Sequence, residues 1–281
     1  MTEKWNHTRP GITLVLGGTG TTGRRVVERL KARGVRTRVG SRSGKPPFDW
    51  DDQNTWEPAL ENVRAAYITY YPDLAIPGAA DAIREFTQMA VWLGVRRLVL
   101  LSGRGEEEAQ LCEKVVQSFD ADWTIVRSSW FSQSFSETFL REPVLGGEVA
   151  LPVGDVREPF IDADDIADVA VAALTEDGHD GQIYEVTGPR LLTFADAVHE
   201  IATATKRDVR YVEVPLEAFE SALADQGLPA DAVQLMTYLF TTVMDGRNEH
   251  LTDGVQRALG RLPRDFGDFA RSAAAAGAWS A

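Results

Sequence analysis

The stretch Leu14-Val15-Leu16-Gly17-Gly18-Thr19-Gly20-Thr21-Thr22-Gly23-Arg24 decides the fold of this chain. Residues 12 to 16 form a short apolar run rich in β-formers and ended by glycine, which predicts a buried strand. The segment from about 22 to 33, closed by Gly34, predicts a helix directly after it. Gly17, Gly20 and Gly23 give GxxGxxG, while Gly18, Gly20 and Gly23 give GxGxxG. Missing side chains let the backbone approach a pyrophosphate closely, and a helix N-terminus offers unpaired N–H groups and the positive end of a dipole. Glycines alone are a weak signal, but a strand before them and a helix after them make it strong. The expectation is a dinucleotide held by Gly17, Gly18, Thr19, Gly20, Thr21, Thr22 and Gly23.

The next apolar-alternating run, 35 to 39, predicts a second strand that ends in Val39-Gly40-Ser41-Arg42-Ser43-Gly44-Lys45. An NAD site needs a carboxylate there to accept hydrogen bonds from the ribose 2′-hydroxyl. This turn has none. Arg42 offers a planar fork for a 2′-phosphate, with Ser41 or Ser43 as donors beside it, so the cofactor expected is NADP(H).

The alternation continues for about 130 residues. Strands are predicted at 65 to 69, 97 to 101 and 123 to 127, with a short one near 48 to 50. Helices are predicted at about 78 to 93 and 106 to 118. Such βαβ repetition indicates a doubly wound parallel sheet of Rossmann type. Beyond about 128 the rhythm changes. Residues 146 to 154 read as a hairpin or edge strand, and 162 to 174 as a helix with Asp162 and Asp165 at capping-box spacing. A late strand at 182 to 187 is expected to rejoin the sheet, followed by a helix that Thr193 caps and a strand at 209 to 214. The remainder reads as helical. The expected organisation is an α/β Rossmann domain over 1 to 150 and a smaller, mostly helical C-terminal lobe over 151 to 281, interleaved with the sheet.

Composition narrows the function classes. The 281 residues are 44% hydrophobic and 25% charged, as in a folded globular protein. The net charge of -13 opposes nucleic-acid backbones, which demand many cations. Residues 1 to 45 nevertheless hold eleven Lys or Arg against Glu3 and Glu28, a balance of +9, while the other 236 residues sum to -22. Positive charge is thus concentrated around the glycine turn. The opening MTEKWNHTRP lacks an apolar leader and no run is long enough for a membrane span, so the expected location is the cytoplasm. Cys112 stands alone, and His7, His179, His199 and His250 are scattered, which excludes disulfide scaffolds and zinc sites of ordinary spacing.

Four segments carry a specific resemblance: GGTGTTGRRVVERL from Gly17, RVGSRSG from Arg38, LVLLSG at 98 to 103 and DWTIVRSSWFSQSF at 122 to 135. Together with PFIDADDIADVAVAAL at 159 to 174, they resemble the NmrA-like family of atypical short-chain dehydrogenases/reductases. The resemblance covers the first 175 residues well and the remainder loosely. It implies a Rossmann domain with a small lobe closing over the nicotinamide. The family holds NADP(H)-dependent quinone, imine and enone reductases as well as redox sensors without turnover. It also implies that Tyr70, Tyr71 and Pro72 run along the ribose edge, that Ser102 and Gly103 stand near the nicotinamide, and that Arg127, Ser128, Ser129, Trp130 and Phe131 close the pocket.

The usual acid of short-chain reductases, a Tyr with a Lys four residues on, is missing. Tyr67, Tyr70, Tyr71, Tyr184, Tyr211 and Tyr238 are followed at that spacing by Tyr71, Leu74, Ala75, Gly188, Pro215 and Thr242. The corresponding loop holds Arg104, Glu106, Glu107 and Glu108, glutamates that read as the start of a helix or as a proton donor or amine ligand. An electron-poor acceptor needs little beyond placement and water, because the cofactor supplies the electrons. The expectation is therefore an NADP(H)-dependent oxidoreductase acting on a small aromatic or conjugated acceptor: a quinone, enone or imine. Ser102 orients the acceptor, Tyr70 or Tyr71 packs the ribose or supplies a proton, and Trp130 and Phe131 bind substrate. Phe135, Tyr238, Leu239 and Phe240 extend this aromatic cleft. The alternative is a non-catalytic NADP(H)-binding sensor acting through a protein partner. Either a monomer or a homodimer fits the sequence.

Overall fold

The structure, a computed structural model, describes residues 11–280; the opening segment with His7 lies outside the described residues. The glycine-ended run forms β1 (Ile12–Leu16), followed by α1 (Thr21–Ala32), β2 (Thr37–Gly40), the short α2 (Trp56–Leu60) and β3 (Val63–Ile68). Next come α3 (Ala79–Trp92), β4 (Arg97–Gly103), α4 (Glu107–Gln117) and β5 (Asp122–Ser128). The strand expected near 48 to 50 is reduced to a single bridge between Asp49 and Asp52. Two short helices, α5 (Ser134–Glu137) and α6 (Arg141–Gly146), lead to β6 (Glu148–Leu151), β7 (Arg157–Glu158) and α7 (Ala163–Thr175). The chain continues through β8 (Gln182–Val186), β9 (Leu192–Thr193), α8 (Phe194–Thr205) and β10 (Arg210–Glu213). It ends with α9 (Leu216–Asp225), α10 (Ala230–Tyr238), α11 (Gly254–Leu259) and α12 (Phe266–Ala275).

The main sheet has six strands in the order β2-β1-β3-β4-β5-β8, a doubly wound order with its switch point between β1 and β3. Strands β2, β1, β3 and β4 pair in parallel, with Val15 opposite Val39 and Tyr67, and Tyr67 opposite Val99. Because helices cover a parallel sheet on both faces, its strands read as continuous apolar runs. Leu14, Val15, Leu16, Ala66, Tyr67, Ile68, Leu98, Val99 and Leu100 are accordingly buried. Helix α1 turns Val26, Val27 and Leu30 inward, each contributing about 1.5–3 kcal/mol by burial, and leaves Arg24, Arg25 and Arg29 half-buried, the last paired with Asp168 of α7.

Two compact units emerge from the packing. The first comprises the described residues up to Ser102, with Glu108–Val126 and Ala167–Gln182. Its core is extended by a knot of rings, Phe48, Trp50, Trp56 and Phe86, with centroids 5.1 to 6.3 Å apart. The second comprises Gly103–Glu107, Arg127–Ile166 and the chain from Ile183 onward. Its core gathers Phe135, Phe160, Phe194, Phe240, Phe266 and Phe269 with aliphatic side chains of α8 and α12.

Of the two readings of residues 146 to 154, the edge strand holds and the hairpin does not: β6 pairs in parallel with β10, Glu148 opposite Arg210, as a separate two-stranded sheet. One further local expectation is corrected. Asp162 and Asp165 make no capping box. Asp162 Oδ1 accepts the Asp164 N–H at 2.8 Å, whereas the Asp165 carboxylate accepts the Arg264 N–H at 2.7 Å and pairs with the guanidinium groups of Arg261 and Arg264. A reciprocal box forms instead at Thr193 and Asp196, where Thr193 caps α8 as expected.

Candidate active site

The β1–α1 junction is built by its glycines. Gly17 has a φ of +59°, a left-handed conformation that costs other residues about 1–2 kcal/mol. A Cβ on Gly23 would lie 2.2 Å from the Gly17 carbonyl oxygen, so only glycine lets α1 pack this tightly on the turn. Gly20 is different. It serves as N-cap with φ −83°, its N–H donates to the Gly17 carbonyl at 2.8 Å, and no side chain caps the helix. No acidic residue occupies the first turn. The N–H groups of that turn have no intrahelical acceptors, and Gly17, Thr19 and Gly20 are exposed beside them. Thr22 is buried, its hydroxyl accepting from the Tyr67 hydroxyl at 3.1 Å, so its contribution to the loop is its backbone N–H. An uncapped helix end, a glycine cradle and a first helical turn without carboxylates fit a pyrophosphate.

At the end of β2, the Ser41 carbonyl accepts from both Gly44 and Phe48 N–H at 2.9 Å, which folds the turn back on itself. The hydroxyls of Ser41 and Ser43 stand 3.4 Å apart, and Arg42 is exposed without an ion-pair partner among the described residues. This rim suits a 2′-phosphate.

At the end of β3, Thr69 Oγ1 donates to the Leu16 carbonyl at 3.1 Å, tying this strand to the glycine turn. Tyr70 packs on Trp50 with centroids 4.9 Å apart. Burial, then the charges of Asp51 and Cys112, push its phenol above the ordinary tyrosine value. It is a hydrogen-bond donor at neutral pH. Tyr71 is 75% exposed and precedes a cis Pro72. Ser102, at the end of β4, donates to Glu113 Oε1 on α4 at 2.7 Å, with both side chains buried. Helix α4 therefore gathers two of the expected residues: Ser102 bonds Glu113, and Tyr70 senses Cys112 one position earlier. The glutamates beyond Arg104 begin that helix.

The second unit contains the segment that leaves the end of β5. Arg104 is buried there, with Nε on Glu185 Oε1 at 2.7 Å and its terminal nitrogens within 3.3 Å of Ser129 Oγ, the Asn248 carbonyl and His250 Nε2. It is a structural hub, which the sequence does not reveal because its partners lie up to 146 residues away. Trp130 packs on Phe240, Phe194 and Phe139 at 5.2 to 6.3 Å, and Phe131 bridges to Ile161. Phe240 is presented by a π-helical turn, Leu239–Val243, a form often found at functional sites. Phe135, expected on the cleft wall, is fully buried in the core instead.

Sequence reading misses Glu158. Its side chain is 2% exposed, Oε1 accepts the Trp130 backbone N–H at 3.2 Å, and Oε2 is buried without a partner. Burial pushes its carboxyl up to about 7, against the Trp130 hydrogen bond and the Arg104 charge, which pull it down. The surrounding GDVREP reads as an ordinary polar loop, so nothing in the sequence flags it.

Among the described residues, no helix is long and apolar enough to cross a membrane. No protein-family profile matches the chain. The uncharacterized oxidoreductase YesF of Bacillus subtilis is 32% identical over 274 residues, 93% of this chain and 95% of its own. The NAD(P)H azoreductase of Xenophilus azovorans is 30% identical over 94% of this chain and 99% of its own. Triphenylmethane reductase of Citrobacter sp., solved with NADP(H), superposes with a TM-score of 0.73 at 17% identity, covering 93% and 99% of the two chains. The glycine turn, the strand order and relatives at this identity along nearly the whole length agree: the chain belongs to the NmrA-like family of atypical short-chain dehydrogenases/reductases.

Proposed function

We propose that this protein is an NADP(H)-dependent reductase of small aromatic or conjugated acceptors. The observation that carries the reading is the β1–α1 junction, whose uncapped helix end and glycine cradle face a rim with Arg42 and no carboxylate. Relatives named as an oxidoreductase and an azoreductase support turnover over sensing. When bound, NADPH supplies the hydride. The first-turn N–H groups of Thr21, Thr22 and Gly23 hold the pyrophosphate, with Gly17, Gly18, Thr19 and Gly20 giving it room. Arg42, Ser41 and Ser43 hold the 2′-phosphate. Tyr70, braced by Trp50, packs along the ribose edge, with Tyr71 beside it. Ser102, fixed by Glu113, orients the reacting end, and Trp130 and Phe131 flank a flat acceptor.

Quinones, enones, imines and azo compounds share the conjugation that this site needs, since each accepts a hydride without metal assistance. The acidic remainder of the surface disfavours anionic polymers as partners. The lone, buried Cys112 suits a reducing compartment, and the reading places the enzyme in the cytoplasm. Calorimetric titration with NADPH and NADH tests the cofactor assignment. Tighter binding of NADPH is expected, and equal affinity for the two would contradict the role given to Arg42.

A further inference from the structure

Single cations are ordinary on a protein surface, but cations gathered around one concavity with no carboxylate in its wall raise the local concentration of anions. The first unit has such a concavity. A groove of about 440 Å³ lies between Arg36, Thr37, Arg38 and Val39, on and just before β2, and Gly44 and Lys45 of the turn that follows. Small-molecule sites run from about 300 to 1,000 Å³. No acidic residue lines this one.

The backbone adds donors to the charges. β2 is an outer strand of the six-stranded sheet, with β1 on one side only. The Arg36 carbonyl accepts the Thr13 N–H at 2.8 Å on the β1 side. Across a trans peptide the N–H points away from the carbonyl, so the Thr37 N–H turns to the open edge, and the parallel register repeats this at Val39. A sheet edge of this kind makes an anion-binding concavity.

The side chains are placed for the same task. Arg38 Nη1 donates to the Ala59 and Glu61 carbonyls at 2.7 and 2.8 Å, at the C-terminal end of α2. That holds the half-buried guanidinium in position, while its Nε and Nη2 have no partner among the described residues. Arg36 and Lys45 are exposed, again without an ion-pair partner among the described residues. Gly44 brings Lys45 to the groove: a Cβ there would lie 2.7 Å from the Val39 carbonyl oxygen, so a side chain would push the turn off β2.

We propose that this groove is an anion site distinct from the cofactor rim, taking a phosphate dianion either free or as the monoester of a small molecule. Every uncommitted polar group named above is a donor and three of them are cationic, which calls for a ligand with several acceptor oxygens and more than one negative charge. Ser41, Arg42 and Ser43, assigned to the 2′-phosphate, are not in its wall. The site is independent of the reductase reading.

Calorimetric titration of the full chain with inorganic phosphate and with glycerol 3-phosphate, at constant ionic strength in chloride and with NADPH present, tests the proposal. Saturable binding of at least one is expected, and the tighter of the two identifies free phosphate or a monoester as the ligand. The double variant Arg36→Gln/Lys45→Gln alters only exposed side chains, and its circular dichroism reports folding. It should bind the preferred probe about tenfold or more weakly, whereas Arg42→Ala should bind it as wild type does. Absence of binding, or equal affinity in wild type and the double variant, would overturn the proposal. So would loss of binding in Arg42→Ala alone, which would put the anion on the cofactor rim.

Discussion

Burial favours the neutral form of the Glu158 carboxyl in the folded chain, against the Trp130 amide hydrogen bond, and stability then depends on pH. Glu158 titrates at about 7 when folded, against 4.5 as its ordinary value. Between those values the folded chain binds the extra proton. Its contribution is therefore fully present below the unfolded value and is lost as pH rises to about 7, a total on the order of 3 kcal/mol. Glu158→Gln has no such term. Chemical denaturation at pH 5 and pH 8 should show the variant gaining stability relative to wild type at the higher pH; a constant difference would mean that Glu158 titrates normally. Arg42 makes the second prediction at this scale. Removing one charge-assisted pair to a phosphate costs about 1.5–3 kcal/mol, so Arg42→Ala should weaken NADPH binding roughly tenfold to a hundredfold and leave NADH nearly unchanged. Parallel titrations check it.

At the scale of elements, the junction of β1 and α1 separates the roles of its glycines. Gly23→Ala would drive a Cβ against the Gly17 carbonyl at 2.2 Å, backbone that cannot yield, and is expected to destabilise the fold by about 1–3 kcal/mol. Gly20→Val meets only that same oxygen at 3.3 Å, so the chain should keep its circular dichroism spectrum while the added bulk blocks the pyrophosphate. Retained NADPH affinity in Gly20→Val would show that this glycine serves only the turn. This junction was legible in the sequence because every determinant is local: apolar run, glycine spacing, helical period. The pairing of β6 was not. Its partner β10 lies some sixty residues on, and non-local pairing leaves no mark in the strand's own residues. The capping box at Asp162 failed for the same reason, since Arg261 and Arg264 claim Asp165.

For the whole molecule, alternating strands and helices were enough to read the doubly wound sheet, including the return of β8 beside β5. The turns proposed to hold the cofactor were equally readable as turns, because they immediately follow strands. The chemistry beyond it was less so. Ser102 proved to be bonded to Glu113, Arg104 to four distant partners, and Glu158 to acquire its character only through burial. Those properties arise when segments far apart in sequence meet. The groups assigned to the reacting end should affect rate more than cofactor affinity, because they act on the transition state. Tyr70→Phe and Ser102→Ala are accordingly expected to leave NADPH titrations nearly unchanged, with at least one lowering kcat by about tenfold; weakened NADPH binding with unaltered kcat would make them cofactor ligands only. The most direct measurement is the loss of NADPH absorbance when the purified protein is mixed with a panel of quinones, enones, imines and azo dyes. Catalytic oxidation of NADPH, faster than of NADH, is expected with at least one of them. Tight NADPH binding with no turnover on any, and instead a cofactor-dependent change in affinity for a protein partner, would identify a sensor and overturn the reductase reading.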